Sequence, residues 1–190
     1  ESPTALIEPT VDRMQISNSD LLAPTVVQNQ KNAVMMMLQV QASGNSVEWQ
    51  RLRLNLGGTA QPSDVALIKI WKNPAENSGN PPSFNSLVTT QNALGAYVNL
   101  ASIGTESFDP VTKSVDIDLT KGLGTGIAIS TNTQYFFITY DISELATVGK
   151  NMGLEILTTN YFTAKIPDDI QFISFSTFTT PNNGRITEVA

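Results

Sequence analysis

Carboxylates are the residues of this 190-residue chain whose type and spacing come nearest to catalysis. Asp116 and Asp118 sit two apart in the run VDIDL. On a strand their side chains share one face about 7 Å apart along the chain. That separation lies within the roughly 6.5–9.5 Å used by inverting glycosidases and beyond the roughly 5–5.5 Å of retaining ones. The same alternation marks any solvated sheet face, and it is read that way here. Asp168-Asp169, directly after Pro167, reads as a turn. The chain contains no His and no Cys. This removes His-based nucleophile activation, thiolate chemistry, structural zinc and His-ligated haem. No catalytic, cofactor-binding or metal-binding residue is assigned, and the chain is read as non-enzymatic.

The elements around these residues are those of a β-protein. Only 15% of the residues are charged, against roughly 25% in an ordinary soluble domain. Their place is taken by 21 Thr, 16 Ser and 16 Asn, alongside 12 Gly and 10 Pro. Thr suits a pleated surface, and the others suit the bends between strands. A net charge of -6 and a pI near 4.5 argue against nucleic acid or an anionic membrane as partner. No run of 18 apolar residues is present, so no membrane span is expected. The composition suits a secreted, cell-surface protein. The chain opens without a basic, apolar leader, so export implies that Glu1 follows a cleaved signal.

Strand-like runs, most of them alternating with period two, cover residues 32–42, 47–56, 64–72, 94–100, 115–119, 134–142, 154–156 and 170–180. Val47 and Trp49 change parity with Leu52, Leu54 and Leu56, which predicts a bulge near Gln50 and Arg51. Gly57-Gly58 ends that strand. Residues 134–142 (QYFFITYDI) are apolar on both faces, as in a central strand covered twice. Residues 73–92 are rich in Pro, Asn and Ser and predict a long loop. The expected fold is an all-β, two-layer antiparallel sandwich of about eight to ten strands. Residues 1–10 read as an extended segment and 11–190 as one domain.

Several of these runs together resemble a known pattern. Tyr135 to Ser143, then Ala146-Thr147-Val148-Gly149 and Gly153-Leu154, are similar to a recurring motif of an immunoglobulin-like repeat domain. That domain is found in large secreted and cell-surface proteins of environmental bacteria. Trp49, Leu52, Leu54 and Gly57, then Asp64-Val65 and Lys69 to Lys72, fit its upstream half, and Phe172 to Phe178 with Ile186 fit its close. The likeness spans roughly residues 11–187. It implies a structural or interaction module with no chemistry of its own. Where this family often carries a calcium-like turn, the loop at 73–80 offers Glu76 with Asn73 and Asn77, and Pro74 interrupts it. One carboxylate falls short of what calcium needs.

The family occurs in arrays, yet this chain holds one copy, so the expectation is a subunit of an extracellular filament or surface array. In that reading the N-terminal segment is lent to a neighbour by strand addition, as in donor-strand fibrils. Pro3 and Pro9 bar it from the middle of a sheet. Ile7, Val11, Met14 and Ile16 would set the register, and Met35 and Met37, expected to face away from Met36, would form an acceptor face. Low edge charge would leave strand edges open. The partner is a copy of the chain itself. Ser78, Ser83, Ser86, Thr89 and Thr90 in the loop are candidates for O-linked glycan, since no Asn-x-Ser/Thr sequon exists. The alternative is an accessory glycan- or protein-binding module, with Trp71, Tyr97 and Tyr161 as stacking candidates.

Overall fold

The computed structural model describes residues 11–73, 83–84, 107–121, 124–174, 177–181 and 183–189, and the backbone of residues 98–99. Among them are fourteen strands, two single 3-10 turns and no α-helix. In chain order the strands are β1 (Arg13–Asp20), β2 (Thr25–Val27), β3 (Ala33–Ala42), β4 (Ser46–Gly58), β5 (Val65–Lys72), β6 (Val98–Asn99) and β7 (Ser114–Asp118). They continue as β8 (Ile127–Ser130), β9 (Gln134–Ile142), β10 (Asn151–Ile156), β11 (Phe162–Ala164), β12 (Asp169–Phe172), β13 (Phe178–Thr179) and β14 (Gly184–Thr187).

Two sheets pack as a sandwich. The first has the order β12-β1-β3-β9-β5-β6. The second has the order β11-β4-β10-β14-β2, with β7 and β8 also pairing β4 and β13 also pairing β10. All-β architecture was legible, but two details are corrected. The sheets are mixed, because β1 runs parallel to β12 and β2 parallel to β14. The expected strand at 170–180 is two strands in different sheets, β12 in the first and β13 in the second. Alternation reports which face is buried and is silent on partner and direction, and strands of two to four residues are too short to show a period.

Strand β9 is buried at every position, between β3 and β5. Phe136, Ile138, Tyr140 and Ile142 enter the main core, while Tyr135 and Phe137 join Met37 and Trp71 in a second cluster on the outer face. Phe84, from the long loop, packs on that cluster, with ring centroids 5.9 Å from Trp71 and 5.3 Å from Phe137. The bulge in β4 is present: Leu52 and Arg51 pair with Phe162 and Thr163, and the next partner of β11 is Trp49, so Gln50 is the extra residue. That shift lets Val47, Trp49, Leu52 and Leu54 all point inward. Trp49 meets Phe136 edge-on at 5.2 Å and Phe162 at 5.6 Å, and Phe172 stacks on Phe178 at 4.1 Å across the sheets. A second bulge lies at Met35, between Val34 and Met36. It turns Met35 into the main core beside Met36, so only Met37 faces away.

The registers define two poles. The proximal pole holds the start of β1, the β3–β4 turn and the start of β12. The distal pole holds the starts of β3, β5 and β10 and the ends of β9 and β14. Most of the motif residues of the 57–65 and 143–149 segments meet at the distal pole. Buried Asp64 accepts hydrogen bonds from the Thr147 N–H and the Gln61 N–H, each at 2.7 Å, and its carbonyl accepts from Ser143 N–H at 2.9 Å. Their role here is to tie the β4–β5 and β9–β10 connections together. Gly58, at φ +83°, lets the Thr59 and Ala60 N–H groups reach the Asn151 carbonyl, and an added Cβ would lie 2.5 Å from that oxygen. Gly58→Ala should therefore destabilise the fold by about 1–3 kcal/mol, measurable as a lower urea midpoint at unchanged slope.

Candidate assembly surface

The described chain enters at the proximal pole through Asp12. Its carboxylate accepts from the Asn45 N–H at 3.1 Å and the Asn45 side chain at 3.3 Å, and its carbonyl accepts from the Asp169 N–H at 3.0 Å. Gly44 leaves the space this carboxylate occupies. Val11, just outside, is 56% exposed, and Ile166 on the β11–β12 turn is 89% exposed. At the distal pole Leu145 is 83% exposed, with Val148 and Val189 also open to solvent. Entry and exit of the described chain thus fall at opposite poles, each bearing apolar side chains.

The candidate assembly residues divide along the same line. Met14 and Ile16 are fully buried in this chain's own core, on a strand paired on both sides by β12 and β3. Val11 projects, and Ile7 lies outside the described residues. Met35 and Met37 are both buried. They present no open acceptor face here, because a bulge takes Met35 into the core and the loop residue Phe84 packs against the cluster that holds Met37. Ser83 is exposed, while Ser78, Ser86, Thr89 and Thr90 lie outside the described residues. Of the stacking candidates, Trp71 is buried with its Nε1 donating to Thr139 Oγ1 at 2.9 Å. The Tyr161 hydroxyl accepts from Asn55 Nδ2 at 2.8 Å, and Tyr97 lies outside the described residues.

Strand edges are less open than low charge suggests. In β12 the Asp169 and Ile173 N–H groups donate to β1 and its approach, so the backbone N–H groups of Ile170 and Phe172 point away from β1. The outward Ile170 N–H is taken by the Asp169 carboxylate at 2.8 Å. Likewise in β2 the Arg185 N–H donates to Pro24 and the Gln28 N–H to Thr187, which turns Thr25 and Val27 outward. The Val27 N–H is taken by Gln30 Oε1 at 2.9 Å. Each of these two edges is therefore short and carries a side chain on an outward donor, a substitute for the usual Lys. Beside Phe172 an open groove of about 570 Å³ runs between β12 and Thr158-Thr159, lined also by Ile170 and Ile173.

The remaining carboxylates do structural work. Asp116 pairs with Arg53 at 3.3 Å, and Asp118 accepts from Thr120 Oγ1 at 2.6 Å and Thr120 N–H at 2.9 Å. Asp168 lies in the turn, its N–H donating to the Lys165 carbonyl. Among the described residues no three carboxylates gather as metal ligands would. The Thr120 hydroxyl and N–H hold Asp118 below the ordinary range, as the Thr112 and Val111 N–H groups do for Asp109. The Gly126 N–H, Gln50 and Lys165 do the same for Glu48. Burial raises the Tyr140 phenol well above its usual 10.0. No protein-family model matches the chain, and a search of curated proteins finds no match.

Two outcomes follow. Carboxylates with lowered pKa stabilise the fold above their unfolded values and lose that contribution as pH falls through the folded ones. A phenol with raised pKa stabilises below its unfolded value and loses that contribution as pH climbs. Thermal midpoints should thus be flat between about pH 5 and 9 and fall on both sides, with Tyr140→Phe removing much of the alkaline fall. Asp169→Ala should cost under about 1 kcal/mol, since its Arg13 pair at 4.0 Å is solvent-exposed. Exchange of the Ile170 amide should nevertheless speed up several-fold, read by hydrogen–deuterium exchange.

Proposed function

We propose that the chain is a structural subunit of an extracellular bacterial filament or surface array, joined head to tail by strand addition from its N-terminal segment. The observation that carries this reading is the polar geometry: the described chain enters at one end of the sandwich and leaves at the other. A segment extending from Asp12 at the proximal pole reaches the distal pole of a copy stacked below, where Leu145 and Val148 are exposed. Such a contact is heterologous, and repeating it without closure makes a filament and not a closed dimer. Met14 and Ile16 belong to the subunit's own core, which leaves Ile7 and Val11 for the neighbour to receive. Burying each contributes about 1.5–3 kcal/mol before the cost of ordering the segment. The surface of neutral polar side chains suits close packing of copies, and the exposed loop residue Ser83 is accessible to glycan.

Removing residues 1–10 leaves every described contact in place. The truncated protein should melt within a few degrees of the full chain and elute as a monomer in size-exclusion chromatography with light scattering. The full chain should form polymers visible by negative-stain microscopy. Filaments from the truncated protein, or a strictly monomeric full chain at high concentration, would overturn the assembly mechanism.

A further inference from the structure

Lys69 and Asp141 are charged residues on strands that are otherwise largely apolar. They meet on the outer face of the first sheet. Lys69 Nζ donates to the two Asp141 oxygens at 2.8 and 2.9 Å and to Asn32 Oδ1 at 2.9 Å. The Asn32 N–H donates to Asp141 Oδ1 at 2.9 Å. The Asp141 side chain is 5% exposed and that of Lys69 18%, and the Trp71 ring centroid lies 5.8 Å from Nζ. Asn32 directly precedes β3, Lys69 is on β5, and Asp141 is on β9 between them. An amine, a carboxamide and a carboxylate thus converge from three neighbouring segments in a half-closed site.

We propose that Lys69 and Asn32 join in an intramolecular isopeptide bond, with Asp141 carrying the protons. An ion pair needs only the amine and the carboxylate; the carboxamide oxygen on the same Nζ supplies the third component of an acyl transfer. Its carbon lies one C=O bond, about 1.2 Å, beyond Oδ1, which puts it within about 4 Å of Nζ. Reaction requires about 3–3.5 Å, a gap that side-chain rotation closes without any change of strand register. Lys69 gives a proton to Asp141, and the freed lone pair forms the Nζ–Cγ bond. The Cγ–Nδ2 bond then breaks, and the protons shed by Nζ pass through Asp141 to the departing nitrogen. In balance, one ammonium side chain and one carboxamide become a secondary amide and a free ammonium ion, and Asp141 is regenerated. No oxidant or cofactor is needed. The bond would close a 37-residue span and staple β3 to β5 across β9, in a chain that has no Cys for a disulfide.

The test is intact-mass and peptide analysis of the full chain made recombinantly. The expected mass is about 17 Da below the sequence mass, the loss of one ammonia. After trypsin, residues 32–51 and 54–72 should appear as one branched species, uncut at Lys69. K69R, which keeps the charge but lacks a simple amine, and N32A should both show their full sequence masses. A wild-type mass equal to the sequence mass overturns the proposal. So does a deficit that persists in K69R, as a succinimide at an Asn would produce. Both readouts are taken on denatured protein and do not depend on how stably a variant folds.

Discussion

The structure is organised around the demand that one strand be dry on both sides. With nine consecutive residues of β9 buried, both faces of the first sheet must be covered, and each face recruits its own cover. Inside, the second sheet supplies Trp49, Leu54, Leu154 and Ile156. Outside, no third sheet exists among the described residues, and Phe84 from the long loop packs over Met37, Trp71 and Phe137. A long, Pro-rich loop is a costly element to order; here part of it completes a core. The same demand explains why Thr139 and Asp141, polar residues on that strand, have partners in Trp71, Lys69 and Asn32.

What the sequence revealed and what it hid follow from the range of each signal. The double-sided burial of β9, the Gln50 bulge and the end of β4 at Gly57-Gly58 are encoded within a few residues, and all were legible. The Met35 bulge was not, because three Met in a row look alike whichever way they turn. Nor was the burial of Trp71, whose cover comes from Phe84 thirteen positions away in a segment read simply as loop. Short strands such as β8 and β11 gain their identity only from the long strand β4 they pair with, and β2 only from β14, which is distant in the chain. The edge caps, Asp169 on Ile170 and Gln30 on Val27, read in sequence as ordinary turn residues.

Those caps change how the low surface charge should be understood. A sheet edge is guarded here at the level of single donors, by a side chain folded back on its own strand or on the adjacent turn. Such guards are local and can rotate away, whereas a Lys fixed on an edge repels any approaching strand in every rotamer. A surface of this kind discriminates: it resists casual edge pairing yet yields to a segment that supplies better hydrogen bonds.

The parallel pairing of β1 with β12 also carries a temporal consequence. Asp12 and Asp168 lie 156 residues apart, and β2 finds its partner only in β14. Until β12 and β14 form, β1 lacks one of its two neighbours and β2 lacks its single partner. Such high contact order slows folding, because closure entropy is spent before the long-range contacts form. The sandwich therefore locks as a unit only when β12 and β14 join β1 and β2, so no early subset of its strands holds a complete set of neighbours.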